Sequence, residues 1–184
     1  MARLILIRHT SVAIPRGVCY GQSDVPLADS FAEEALCVRQ ELESLGLTPE
    51  GMRVYSSPMS RCIRLAEFCG YGDHIQRDNR LMELNFGQWE LQAFDAIEDP
   101  RLEEWYRDYI YTAPTGGESF AEQYERVASF LEEKRTEALS TGGNILAFTH
   151  SGVLRSAAVW QGRYSLEQAF DYACSYGQIE VIPL

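Results

Sequence analysis

Apolar residues fall in short blocks separated by polar, glycine-punctuated stretches, and the blocks are of two kinds. Leu4 to Ile7 is a continuous apolar run, long enough for a buried strand and too short for a helix, so residues 3–8 read as a strand. The next block repeats every three or four residues. Phe31, Ala35, Val38, Leu42 and Leu45 share one helical face, Ser30 with Glu33 predicts a capping box before it, and Gly46 a stop behind it. Met52 to Tyr55 is a second short strand. Ser57 is the expected N-cap and Pro58 the first residue of a helix that turns Cys62, Leu65, Ala66 and Cys69 inward and ends at Gly70. A brief strand is expected near Ile75. Asp99-Pro100 opens a helix to about Tyr109. Ser119 with Glu122 forms a further capping box, before a helix with Phe120, Tyr124, Val127 and Leu131 on one face. Gly142-Gly143 turns into a strand over 144–149, a core helix follows over 151–160, and 179–182 is a last strand.

Strands alternating with helices predict the α/β class: a three-layer αβα sandwich with a mostly parallel central sheet. No repeat or linker divides the 184 residues, so one domain over 1–184 is expected, large enough to bury a real core. The connection from Thr10 to Asp29, with Gly17, Gly21 and Pro26, is longer than a simple link requires.

Composition narrows the partners. A formal net charge of −11 argues against nucleic acid or an anionic membrane. The 16 basic residues are 15 Arg and one Lys, and the planar guanidinium fork matches phosphate oxygens. The five cysteines, Cys19, Cys37, Cys62, Cys69 and Cys174, are odd in number and lack CxxC spacing. They read as reduced thiols of a cytoplasmic protein, with neither a disulfide framework nor a zinc site. The first apolar run is too short for a secretory signal, and nothing approaches a membrane span.

The candidate chemistry lies where apolar runs break. Two of the three histidines, His9 in Arg8-His9-Thr10 and His150 in Thr149-His150-Ser151-Gly152-Val153-Leu154-Arg155, stand at predicted strand ends. Open α/β sheets bind ligands there, so parallel neighbours would bring both to one pocket. Arg61 falls on the opening turn after the second strand, where a helix N-terminus also favours an anion. Glu83 sits among Leu81, Met82, Leu84, Phe86 and Trp89, where burial would raise its pKa and keep it protonated as a general acid. Thr115-Gly116-Gly117-Glu118-Ser119 is a glycine turn into a helix. Taken singly, each has a plain structural reading: a strand-end histidine, a solvated arginine, a loop carboxylate, a helix entry. His74 lies outside every motif and is expected at the surface.

In their order along the chain, Arg8-His9, Gly21 to Leu27, Ser56 to Arg61, Leu81 to Glu90, Gly116 to Ser119 and His150 to Arg155 resemble the histidine phosphatase superfamily, the phosphoglycerate mutase-like enzymes. Thr10 and the stretch Gly17 to Leu27 are most similar to its α-ribazole phosphatase branch, which acts in cobalamin nucleotide-loop assembly. The resemblance implies that His9 is a nucleophile forming a phosphohistidine, that Arg8, Arg61 and His150 hold the phosphate, the last as an imidazolium, and that Glu83 protonates the leaving alkoxide. It implies no metal and no cofactor. Two departures bear on the substrate. Pro15 stands where many members have a phosphate-binding asparagine, which leaves Arg16, Tyr20 or Gln22 to fill the gap. Leu91 replaces a frequent glycine. The expected substrate-binding set is Arg16, Tyr20, Gly21, Gln22, Ser151 and Tyr106. The last belongs to an aromatic segment (Phe94, Trp105, Tyr106, Tyr109, Tyr111) within a candidate cap over 91–117.

The chain lacks the insert and extra basic residues of the family's mutases, which favours hydrolysis of a small phosphorylated metabolite, with α-ribazole 5′-phosphate as one candidate. A broad-specificity sugar or nucleotide phosphatase, a mutase and a non-catalytic phosphate-binding module are the alternatives. A homodimer is left open.

Overall fold

The computed structural model describes residues 2–184; Met1 and the side chain of His74, expected above at the surface, lie outside the described residues. Five strands form one sheet: β1 (Arg3–Arg8), β2 (Arg53–Ser56), β3 (Ile75–Arg77), β4 (Ile145–Thr149) and β5 (Ile179–Pro183). Their spatial order is β3-β2-β4-β1-β5, parallel throughout except that β5 runs antiparallel to β1.

The helices are α1 (Phe31–Ser44), α2 (Ser60–Phe68), α3 (Arg101–Arg107), α4 (Phe120–Thr141) and α5 (Ser151–Trp160); α1 and α2 cover one face of the sheet and α4 and α5 the other, while α3 packs through Trp105 on Phe86 and Trp89. The alternation of β1 splits its side chains between two cores. Ile5 and Ile7 pack with Ala35, Val38 and Leu42 of α1 and Cys62 and Leu65 of α2. Leu4 and Leu6 face Val127 and Leu131 of α4 and Val153 and Ala157 of α5. This is the expected three-layer sandwich. Every residue of β4 is buried, as a central parallel strand must be.

Register decides where the chemistry goes. β1 and β4 pair Arg8 with Thr149, so His9 and His150 leave the sheet side by side. β2 pairs Ser56 with Phe148 and delivers Ser57 to the same edge.

Two helix starts differ from expectation. Ser30 does not cap α1 through Glu33: its backbone is helical (φ −72°, ψ −1°), and capping needs an extended residue. Its hydroxyl donates instead to Glu34 (2.6 Å), whose carboxylate also accepts the Ser11 N–H (2.8 Å). α2 starts at Ser60 with extended Met59 before it, two residues beyond Pro58. The Ser57 hydroxyl, expected as its cap, is 2.8 Å from His150 Nε2. The Ser119–Glu122 capping box forms in both directions. Leu91, expected above to stand in place of a glycine, adopts φ +65°, a left-handed conformation that glycine takes without strain.

Candidate active site

His9 is nearly inaccessible, 2% exposed. Its Nδ1 lies 2.7 Å from the carbonyl of Thr10. A carbonyl only accepts, so Nδ1 carries the proton and Nε2 keeps a lone pair. Burial first, then the charge of Arg61, pushes the His9 pKa down to about 3, which leaves the ring neutral.

The fully buried Arg61 reaches across from α2. Its Nε donates to His150 Nδ1 (3.3 Å), Nη1 to the Ser23 carbonyl (2.9 Å) and Nη2 to the Gly21 carbonyl (2.5 Å). Because Nδ1 of His150 accepts, its Nε2 bears the hydrogen and donates to Ser57 Oγ. Burial and then Arg61 hold the His150 pKa well below the usual histidine range. The imidazolium expected from sequence is therefore a neutral ring in the free site, because burial first, and the adjacent Arg61 charge second, disfavour a proton there. The two imidazole centroids lie 5.2 Å apart. Arg8 donates Nη1 to the Cys174 carbonyl (2.6 Å) and lies 4.0 Å from the Tyr176 ring centroid, with its Nε buried and unpartnered.

Glu83 enters on a loop that is fixed from behind. Arg126 of α4 donates to the carbonyls of Arg80, Met82 and Glu83 and pairs with Glu118. The carboxylate accepts from Leu84 N–H (3.0 Å), Gln123 Nε2 (3.2 Å), Gly152 N–H (3.1 Å) and Ser151 Oγ (3.1 Å). Desolvation pushes this carboxyl up, but those donors and Arg61 together outweigh it and hold the pKa below the ordinary range. The expectation of a protonated resting acid is thus reversed. Its apolar sequence neighbours were visible; the backbone amides aimed at it were not.

The substrate-binding candidates separate. Gly21 is required by close approach: a Cβ there would lie 1.9 Å from the Leu84 carbonyl oxygen. Gln22 braces the Glu83 loop, donating Nε2 to the Glu83 carbonyl (3.1 Å), while its N–H goes to Glu90 (2.8 Å). Ser151 holds Glu83. Tyr20 lies beneath Arg61, 5.5 Å from ring centroid to Cζ, and its hydroxyl is 3.0 Å from that of Tyr176. Of the three residues offered to replace the asparagine at Pro15, Tyr20 alone is beside the charge cluster; Arg16 is exposed with its side chain turned to solvent. Tyr106 is 57% exposed and packs on Trp105 rather than lining the cleft. One position along the helix from Trp105, Tyr106 presents most of its ring to solvent. The rest of segment 91–117 buttresses the site from behind: Trp105 packs on Phe86, and Phe94 N–H bonds the Gly17 carbonyl.

Next to Glu83 opens a cleft of about 180 Å³, lined among others by Tyr20, Phe86, Gln123, Ser151, Arg155 and Phe170. Sequence reasoning missed Gln123, Arg126, Tyr176 and Phe170. Gln123 did carry a signal, a polar side chain in the buried stripe of α4 with Phe120 and Val127.

The family model of the histidine phosphatase superfamily (branch 1) matches residues 4–184. The chain is 32% identical over 158 residues to a protein of Escherichia coli O1:K1 named "Probable phosphoglycerate mutase GpmB", covering 82% of this chain and 70% of that one. It is 26% identical to "Phosphoserine phosphatase 1" of Hydrogenobacter thermophilus, over 99% of this chain and 86% of that one. In fold it is similar to the α-ribazole phosphatase of Shigella flexneri (TM-score 0.81, 23% identity, 99% of this chain and 90% of that one). With a parallel sheet that sets two buried histidines, an arginine and a cradled carboxylate at one edge, and a family match over nearly its whole length, the chain belongs to branch 1 of the histidine phosphatase superfamily.

Proposed function

We propose that this protein is a phosphomonoesterase that hydrolyses a small phosphorylated metabolite through a phosphohistidine at His9. The observation that carries the reading is the His9 tautomer: Nδ1 is tied to the Thr10 carbonyl, so the free lone pair is on Nε2 of a neutral ring.

Phosphate enters between the imidazoles and arginines. Its negative charge raises the pKa of every neighbouring group, so Glu83 and His150 hold protons more readily in the complex. The Nε2 lone pair attacks phosphorus, the P–O ester bond breaks, and its electron pair leaves on the alcohol oxygen. That oxygen takes the proton of Glu83. The phosphoimidazole keeps its Nδ1 hydrogen against Thr10. A water then gives a proton back to Glu83 and its oxygen attacks phosphorus. The P–N bond breaks, its electrons return to Nε2, and inorganic phosphate departs. Arg8, Arg61 and His150 offset the charge spread over the transferring group.

A specific leaving group has weaker support. Tyr20, Phe86 and Phe170 at the cleft favour a flat ring, which makes α-ribazole 5′-phosphate the second reading; a protein of similar fold carries that activity in its name. All five cysteines are free, which supports a reducing, cytoplasmic setting.

Rapid quench in base after brief exposure to labelled p-nitrophenyl phosphate is expected to trap an acid-labile adduct on His9. The adduct and turnover should persist in EDTA and be lost in His9→Ala. Label on a serine or cysteine, or turnover surviving in His9→Ala, would overturn the mechanism.

A further inference from the structure

α5 carries one group that the phosphoryl-transfer chemistry leaves unused. Arg155 lies one turn beyond Ser151, half-buried, and lines the cleft that Glu83 also lines. Its Nε is buried without a hydrogen-bond partner. Among the described residues, Arg3, Arg8, Arg53, Arg61, Arg80, Arg126 and Arg155 are the arginines that are not exposed, and six of them have polar partners. Arg155 has none. A chain with 27 acidic residues has no shortage of carboxylates to neutralise it. Instead its guanidinium is held over the Phe170 ring, 5.1 Å from the centroid, at the side of the cleft.

A guanidinium taken partly out of water and left unpaired is costly unless a ligand completes it. The position identifies which part of the ligand that is. Glu83 meets the oxygen of the departing alcohol, so the space beside it receives the alcohol and not the phosphate. Ser151 holds Glu83, and residues four apart on a helix have Cβ atoms about 5–6 Å apart. An anion on Arg155 therefore sits a few bonds from the ester oxygen. The cleft, about 180 Å³, suits a short alcohol.

Building on the phosphomonoesterase reading, we propose that Arg155 is a specificity residue that receives a second anionic group on the alcohol part of the substrate, so that the preferred substrates are short phosphomonoesters bearing a carboxylate or a second phosphate. The planar fork pairs with either anion, and the cost of leaving Arg155 unpaired falls on esters that lack one.

Three esters on one three-carbon frame test this: glycerol 3-phosphate, with no second charge, 3-phosphoglycerate and glycerol 1,3-bisphosphate. The wild-type protein should favour one or both of the charged esters over glycerol 3-phosphate by at least tenfold in kcat/KM. The better of the two identifies the anion. Arg155→Leu should lower kcat/KM for that ester by about 10- to 100-fold, mainly through KM, and for glycerol 3-phosphate by only a few-fold. Arg155→Lys should restore part of the preference. Raising the salt concentration should narrow the wild-type preference. Circular dichroism and thermal melting establish that the variants fold. Equal losses on all three esters in folded Arg155→Leu, no wild-type preference, or α-ribazole 5′-phosphate outrunning all three esters and unaffected by the substitution would each overturn the proposal. None of these results touches the His9 adduct, whose absence would instead remove the phosphomonoesterase reading itself.

Discussion

At the scale of single residues, the charge states of His9 and Glu83 organise the site. Glu83 rests ionised because amide and hydroxyl donors, with the nearby charge of Arg61, outweigh its burial, so in the proposed mechanism the acid has to acquire its proton when phosphate arrives. Glu83→Gln keeps the shape and removes that proton. Phosphorylation of His9, followed in a single turnover, should slow by roughly 10²–10⁴-fold with an alkyl phosphate, the range of acid catalysis, and far less with an aryl phosphate whose oxygen leaves unaided. Equal slowing of both would assign Glu83 to positioning alone. His9 behaves oppositely to an ordinary histidine. Its pKa in the free site is near 3, chiefly through burial, so the proposed nucleophile stays unprotonated there in mild acid. The value of kcat/KM with an aryl phosphate, which reports the free enzyme, should not fall severalfold between pH 6.5 and 5, as it would for a solvent-exposed imidazole of ordinary pKa.

At the scale of elements, close approaches of backbone set the geometry, and glycines mark them. A Cβ on Gly152 would come within 2.3 Å of Glu83 Oε1 and 2.6–2.7 Å of the Gln123 amide, the movable ends of two side chains. Gly152→Ala should therefore fold, with a stability loss of about 1 kcal/mol, but push the acid off its cradle and lower kcat for alkyl phosphates at least tenfold. Gly21→Ala meets the Leu84 backbone carbonyl instead. There the loop itself must move, so urea denaturation should show the larger loss of stability for Gly21→Ala and the smaller for Gly152→Ala; the reverse order would contradict this account. The elements themselves were largely legible. Apolar runs gave β1 and β4 nearly to the residue, and α5 to the residue, because a buried strand or a core helix leaves no freedom in its pattern. Helix starts were less so. Ser119 and Ser30 look alike in sequence, yet only the extended backbone of Ser119 can cap. Ser57 was diverted by a histidine 93 positions away. Such competition for one hydroxyl is tertiary information that no local pattern holds.

At the scale of the whole molecule, parallel pairing of β1 with β4 was enough to foresee that His9 and His150 meet, since strands at the centre of an α/β sheet end at one edge. The chain did not disclose which side chains would hold Glu83 and pack on His9. Arg126, Gln123 and Tyr176 come from α4 and the loop before β5, and their contacts exist only once the layers have packed. That packing has a further consequence for the stability of the fold. His9 and His150 are both buried as neutral rings, with pKa values displaced downward first by burial. In the unfolded chain each takes up a proton near pH 6.5. Below that pH the unfolded state binds more protons than the folded one, so stability falls as pH falls, and for His9 the loss continues to about pH 3. The limiting slope is about 1.4 kcal/mol per pH unit for each such ring. Glu83, whose pKa is also displaced downward, adds a loss of the same sign at lower pH. Against this, the net charge of −11 shrinks on acidification and relieves repulsion, so the wild-type curve alone mixes two opposing effects. A double variant, His9→Gln with His150→Gln, carries the same surface charge and no buried titrating ring, and the difference between the two proteins isolates the histidines. Urea denaturation at pH 7.5, 6.5, 5.5 and 4.5 should show the wild type losing stability relative to the double variant at each step below 6.5. Parallel curves over that range would mean that the two rings take up protons in the folded state, and with that the neutral nucleophile on which the proposed mechanism depends would be lost.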